Sequence, residues 1–196
     1  MSAKSRPLTI VGLGGTIRPG SASETALIKA LAAAEAAGAC TELFGGAFLA
    51  ALPHYNPHQP AAHPEQVEFL RAVSRADGLI VATPGYHGSI SGLVKNALDS
   101  LEALRDDRRP YFDGRAVGCI VVANGAQACG STLAALRSII HAMRGWPTPL
   151  GATLNANGGE LFDGDGAFID PRDAGAVETV ALQVVAFAAA WGRQGA

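Results

Sequence analysis

Near-continuous apolar runs at residues 8–13 (LTIVGL), 78–83 (GLIVAT) and 116–123 (AVGCIVVA) lack polar alternation, as strands buried on both faces do. A shorter strand is predicted at 40–44 (CTELF) and a weaker fifth around 148–154. Between them the spacing turns helical: an Ala/Leu-rich stretch over 23–37 that stops at Gly38, and a segment with Val67, Leu70 and Val73 on one face. Further helices are predicted from the end of "TPGYHGSISG" to about Leu104, over 131–143, and from a cap at Asp173 to Trp191. Strands alternating with helices imply βαβ units with right-handed crossovers. The expected fold class is α/β, a doubly wound five-stranded parallel sheet with helices on both faces. With 196 residues and no visible linker or repeat, one domain over 1–196 is expected.

In such sheets ligands bind beyond the carboxyl ends of the strands, near the point where strand order reverses. Three loops therefore matter. The first, "GGTIRPGSASETA" at 14–26, fits neither a dinucleotide fingerprint nor a nucleoside-triphosphate loop. It carries Thr16, Arg18, Ser21, Ser23 and Thr25 ahead of a helix N-terminus, a donor set suited to a terminal phosphate monoester. Ser21 and Glu24 also stand at capping-box spacing, which predicts Ser21 as N-cap with Glu24 reaching back. The second loop, "TPGYHGSISG", offers a Pro84–Gly85 turn, a flat wall from Tyr86 and His87, room at Gly88 and donors on Ser89 and Ser91, a setting for a flat ring with a polar edge. The third, "NGAQACG" at 124–130, carries Asn124 and Gln127, donors either for such an edge or only for the loop's own backbone.

Composition narrows the class. A net charge of -2 gives no basic stripe for nucleic acid. No unbroken run approaches the ~20 apolar residues of a membrane span, and the N-terminus "MSAKSRP" shows no cleavage pattern, so a cytoplasmic protein with no membrane partner is expected. Cys40, Cys119 and Cys129 are odd in number and lack C-x-x-C spacing; Cys40 and Cys119 read as small buried apolar residues in strands, Cys129 as a loop residue. His54, His58 and His63 lie in a proline-rich connection with no zinc spacing, so no metal site is expected.

At these two loops the chain resembles the NAD(P)H-dependent FMN reductases of the flavodoxin-like fold, whose relatives include quinone, chromate and azo-dye reductases. "GGTIRPGSASETAL" is similar to the family's G-S-x-R-x-x-S-x-N-x-x-L loop and "ADGLIVATPGYHGSISGLVKNALD" to its ADG-strand-TPxYxxSxxGxLKNxxD loop. Thr16 replaces a usual serine, Ser23 an asparagine, Gly85 a common glutamate and Val94 a leucine. The resemblance implies FMN phosphate on Thr16, Arg18, Ser21 and Ser23, and the isoalloxazine ring against Pro84, Gly85, Tyr86, His87 and Gly88, with Ser89 nearby and a third contact from Asn124 and Gly125. It implies no protein acid or base as catalytic residue, NADPH or NADH as hydride donor, and free FMN, a quinone or another small electrophile as acceptor in a ping-pong reaction. A homodimer or homotetramer and a flavin-dependent monooxygenase partner are further expectations. The rival readings are a flavodoxin-like FMN-binding electron carrier without pyridine-nucleotide turnover, which the near-neutral charge disfavours, and a flavin-free enzyme acting on a phosphorylated metabolite.

Overall fold

A computed structural model describes residues 6–59 and 63–192. Most of the N-terminal stretch read for a cleavage pattern, and residues 60–62 of the proline-rich connection, lie outside the described residues.

Strands β1 (Thr9–Gly14), β2 (Cys40–Phe44) and β3 (Gly78–Tyr86) are joined by α1 (Ala22–Ala36), a short α2 (Gly46–Ala51) and α3 (Pro64–Arg75). A two-residue β4 (Ser89–Ile90) precedes α4 (Gly92–Ser100), and β5 (Ala116–Ala123) leads into α5 (Ala126–Ala142). The chain ends in β6 (Trp146–Pro147), β7 (Ala152–Asn155) and α6 (Pro171–Gly192). The sheet order is β2-β1-β3-β5, with β6 and then β7 both parallel to β5. The predicted fifth strand is thus one sheet position filled in two pieces. Between them Thr148 Oγ1 donates to Leu150 O and Arg137 Nη2 to the carbonyls of Thr148 and Pro149, diverting the backbone from the ladder. Together with the antiparallel β4, this raises the strand count above the expected five while leaving the doubly wound topology as expected.

Side chains along the apolar strands alternate between two cores, as a period of two requires. Val11, Leu13, Leu79, Val81, Val117 and Val121 pack with α3, α4 and α5 on one face. Ile10, Ile80, Ala82, Ile120 and Val122 pack with α1 and α6 on the other. By length and composition α6 could cross a membrane, a possibility that a count of unbroken apolar runs does not reveal. In this fold its Val177, Val180, Ala181, Val184 and Ala188 stripe is buried against the sheet and α1. Asp170, not Asp173, opens this helix: its carbonyl accepts from Asp173 N and Ala174 N, and Pro171 supplies the first helical residue.

Arg115 is wholly buried at the amino end of β5. Its guanidinium donates to Ser74 O at 2.6 Å, Ala76 O at 2.9 Å and Tyr111 O at 2.6 Å, so it caps the carboxyl end of α3 from another part of the chain. Burial pushes the guanidinium down to about 10, which still leaves it charged at neutral pH. Arg115→Met, which keeps volume but orphans three carbonyls, should cost about 3–5 kcal/mol, measured as a shift in denaturant midpoint; a cost below about 1 kcal/mol would show that water replaces the guanidinium freely.

Candidate functional site

The site begins where β1 ends. Gly14 has φ +152, and a Cβ there would lie 2.0 Å from Ala82 O, so only glycine lets the chain leave the sheet so close to β3. Gly15 N then donates to Ala82 O, which pins the loop to its neighbouring strand. Thr16 turns the loop: its Oγ1 accepts from Arg18 N at 3.1 Å. Ser21 caps α1 as expected, its hydroxyl accepting from Glu24 N, while Ser21 and Ser23 hydroxyls lie 3.5 Å apart and are almost fully buried. Glu24 does not close the predicted capping box. Its carboxylate accepts from Gly46 N at 3.0 Å instead, fastening α2 to α1 and leaving the hydroxyl cluster free of a competing anion. Among the described residues Arg18 makes no ion pair, and it is exposed in the loop three residues before the Ser21 cap.

The second loop is a hairpin, not a Pro84–Gly85 turn. Pro84 and Gly85 continue β3, Tyr86 pairs with Ser89, and the two turn residues are His87 (φ 51) and Gly88 (φ 82). Two positive φ values in a two-residue loop make a type I′ turn, which matches strand twist and which a Pro-Gly pair cannot supply. The turn is buttressed from both sides: Ser91 N donates to Thr83 Oγ1 at 3.1 Å, and Thr132 Oγ1 on α5 donates to Ser89 O at 3.4 Å. A Cβ at Gly85 would come within 2.7 Å of Thr132 Oγ1 and 2.9 Å of Ala123 Cβ, so α5 fills the space beside this position. Tyr86 stays half-exposed at the edge of the hairpin.

The two loops meet across the carboxyl ends of β1, β3 and β5 and enclose a cleft of about 560 Å³. Its polar end is Thr16, Arg18, Ser21 and Ser23; its flat wall runs from Pro84 to Gly88; Asn124 lies on the rim. A family model described as NADPH-dependent FMN reductase matches residues 8–159, which span the whole cleft. The chain belongs to the NADPH-dependent FMN reductase family. Enzyme class, FMN and reduced nicotinamide, all implied by the resemblance at the two loops, are those of this family.

Individual relatives agree. The chain is 28% identical over 167 residues to an NAD(P)H-dependent FMN reductase of Pseudomonas aeruginosa, covering 84% of this chain and 86% of that one. It is 34% identical over 98 residues to an FMN-dependent NADPH-azoreductase of Staphylococcus haemolyticus, 50% of this chain and about half (48%) of the relative's length. In fold it is similar to the flavoenzyme NAD(P)H:(acceptor) oxidoreductase of Paracoccus denitrificans, with TM-score 0.68 and 21% identity over 92% of this chain and 97% of that one.

The residues present fit FMN. Nearly buried hydroxyls beside helix-end N–H groups that no intrahelical carbonyl can satisfy suit an anion at one end, and the cleft volume lies within the roughly 300–1,000 Å³ of small-molecule sites. Of the expected contacts, Ser89 and Gly125 are not among the residues that line the cleft: Ser89 is exposed in β4, and Gly125 N is already taken by Asn155 Oδ1 at 2.8 Å. Gln127 is exposed in the first turn of α5, which starts five residues earlier than predicted. Val122, Ala123, Ala128 and Ala156 line the cleft without any sequence signal, since small apolar residues mark a wall only once the strands are side by side. The Gly45–Gly46 pair after β2 was a readable signal: a Cβ at Gly46 would lie 1.8 Å from Thr16 O.

The cysteines depart from expectation in two cases. Cys40 is exposed because β2 is the sheet edge, and Cys129 is buried in α5, its thiol near Ala123 O and Leu154 O. Burial raises the Cys129 thiol and pushes Cys119 up to about 12. Native protein at neutral pH should therefore show one fast thiol, Cys40, toward a chromogenic disulfide reagent and three after unfolding. Two fast thiols would mean that Cys129 is reached from the cleft. Elsewhere, Asn96 ties the proline-rich connection down through Tyr55 N and Pro53 O, and no metal-binding cluster exists among the described residues.

Proposed function

We propose that the cleft holds FMN with its phosphate at Thr16, Arg18, Ser21 and Ser23 and its ring along Pro84, Gly85, Tyr86, His87 and Gly88, and that the protein oxidises NAD(P)H and reduces a small acceptor. The observation that carries this reading is the convergence of both loops on one cleft, with an anion-seeking end and a flat, glycine-bearing wall. FMN held by these residues would supply the two-electron chemistry that links NAD(P)H oxidation to reduction of the acceptor.

The protein's own part is binding and orientation. Ser21, Ser23 and Arg18 fix the phosphate end by charge-assisted hydrogen bonds. The type I′ turn holds His87 and Gly88 rigid, and Tyr86 forms the edge of the wall. Asn124, exposed on the rim, is free to bond the polar edge of the ring; Ser89 and Gly125 support the wall through Thr132 and Asn155. One open face serving donor and acceptor in turn supports ping-pong kinetics, with position and not acid-base chemistry setting the rate. In balance, NAD(P)H supplies two electrons and one proton, and the acceptor takes its second proton from solvent.

We extend the reading to a cytoplasmic protein and to a homodimer or homotetramer, the assembly alone being supported by a groove of about 490 Å³ between α4 and α5 where Leu98, Ile139 and Met143 lie among Lys95, Asp99 and Glu102. Light scattering should report two or four chains. A flavin-dependent monooxygenase that consumes released reduced FMN is the partner this chemistry suits.

The decisive experiment is a visible spectrum after loading with FMN and removing the excess, followed by NADPH under argon. Retained flavin bands that bleach support the reductase. Retained bands that do not bleach point to an electron carrier, and no retained flavin at micromolar protein overturns the assignment of the cleft.

A further inference from the structure

The amino ends of the strands, opposite the cleft, carry a cavity of about 470 Å³ lined by Arg6, Arg75, Arg108 and Arg109 with Thr9 and Ser74. Thr9 opens β1, whose six residues span roughly 17–20 Å, so a ligand here does not touch the site at the other end. The arginines arrive from three segments: the approach to β1, the last turn of α3, and the connection between α4 and β5. Among the described residues Arg75, Arg108 and Arg109 form no ion pair, while Arg6 is held by Asp77 at 2.7 Å. Asp107 is the only carboxylate among the lining residues, and it already accepts from Arg108 N at 2.7 Å.

Four arginines against one carboxylate is a local excess of positive charge in a chain whose net charge is -2. Arg109 is half-buried there. Burial, with the like charges of Arg108 and Arg6 and against the pull of Asp77 and Asp113, holds its guanidinium below the usual arginine range. Such a cluster is unfavourable until a counter-charge arrives. The carbonyls at the end of α3, which would repel an anion, are already engaged: Arg115 donates to Ser74 O and Ala76 O. A neighbouring cavity of about 660 Å³ shares Arg6, Arg108 and Arg109 and runs to Trp191 near the end of α6.

We propose that these arginines form a second anion site, separate from the flavin cleft, that takes the diphosphate group of a small molecule. Guanidiniums pair phosphate oxygens in forks, and one phosphate offers too few oxygens for three unpaired forks reaching it from separate segments. Two linked phosphates supply both the oxygens and the reach. The volume also exceeds what a single phosphate fills and lies in the small-molecule range. Diphosphate occurs free or on a nucleoside, and Trp191 discriminates between these sources, since a base would lie against its half-exposed ring. The inference does not rest on the flavin reading.

The test titrates sodium diphosphate into the full chain, loaded with FMN and free of divalent cations, at low salt, by calorimetry and thermal melting. Ligand at a hundred times its Kd should raise the melting temperature by about 5 °C or more. R108Q/R109Q should weaken binding roughly tenfold or more while leaving the flavin spectrum unchanged, and R108K/R109K should lose less. Arg75→Gln, an exposed change on α3, should weaken binding in a fold whose α4–β5 connection is intact. Arg18→Ala should keep the response. ADP binding several-fold tighter than diphosphate, with the excess lost in Trp191→Ala, supports the site with a nucleotide as its ligand; equal affinities support it with the phosphate chain alone.

No shift and no heat at millimolar diphosphate overturns the proposal. So does equal binding by wild type, R108Q/R109Q and Arg75→Gln. Loss of the response in Arg18→Ala also overturns it, by placing the anion in the cleft. Failure of FMN to bind overturns the flavin reading alone, because the Arg18→Ala comparison still separates the two ends of the sheet.

Discussion

Replacing Gly14 with alanine is expected to lower the unfolding temperature by about 10 °C and to abolish flavin retention. The new Cβ would lie 2.0 Å from the carbonyl oxygen of Ala82 and within 3 Å of two further Ala82 backbone atoms, at a φ of +152 that side chains avoid. No side-chain rotation relieves a clash with backbone. Either β1 or β3 must shift, and both carry a wall of the site. Strain of about 3–5 kcal/mol corresponds to this shift for a chain of this size, at roughly 2–4 °C per kcal/mol. Gly130→Ala is the control: a Cβ there meets nothing within 4 Å inside α5, so it should stabilise by about 0.5–1 kcal/mol. A melting temperature for Gly14→Ala within about 2 °C of wild type would show that the β1 exit is not held as tightly as its geometry implies.

Removing Arg18 and Ser23 together, as R18A/S23A, should weaken FMN by about two to three orders of magnitude while leaving riboflavin binding nearly unchanged. Charge-assisted bonds contribute about 1.5–3 kcal/mol each, and each 1.4 kcal/mol is tenfold in affinity. Riboflavin lacks only the phosphate, so it isolates the anion end of the cleft from the ring wall. Arg18 is exposed, so its share should shrink as salt rises, whereas that of the buried Ser23 should persist. Fluorescence titration of both flavins at low and high ionic strength measures this. Parallel losses for FMN and riboflavin would place the phosphate elsewhere.

Glu24 shows why such a cluster needs three dimensions to judge. From spacing alone it either completes a capping box or repels a phosphate. In the fold it does neither, because α2 presents Gly46 N–H to its carboxylate 22 positions along the chain. Cys40 and Cys119 teach the same lesson: both lie in strands, yet one is at the edge of the sheet and exposed, the other central and buried. Neighbour identity, not local pattern, decides exposure in a sheet. The hairpin turn followed the same logic, since Pro84–Gly85 has the stronger local turn signal but β5 pairs with Pro84 through Val122 and keeps that segment in the sheet.

What the sequence determined by itself was the alternation of strands and helices, the Ser21 cap, and the two loops whose residues converge on the cleft. Each of these rests on interactions within a few residues: apolar periodicity, cap chemistry, and donor groups packed into one turn. Only the tertiary structure decided the split fifth strand, the route of Glu24, the burial of Arg115 against α3, the alanine wall of the cleft and the arginine-lined cavity at the amino ends of the strands. Those depend on contacts between segments tens of residues apart, where the energy comes from desolvation and close packing that no local pattern encodes.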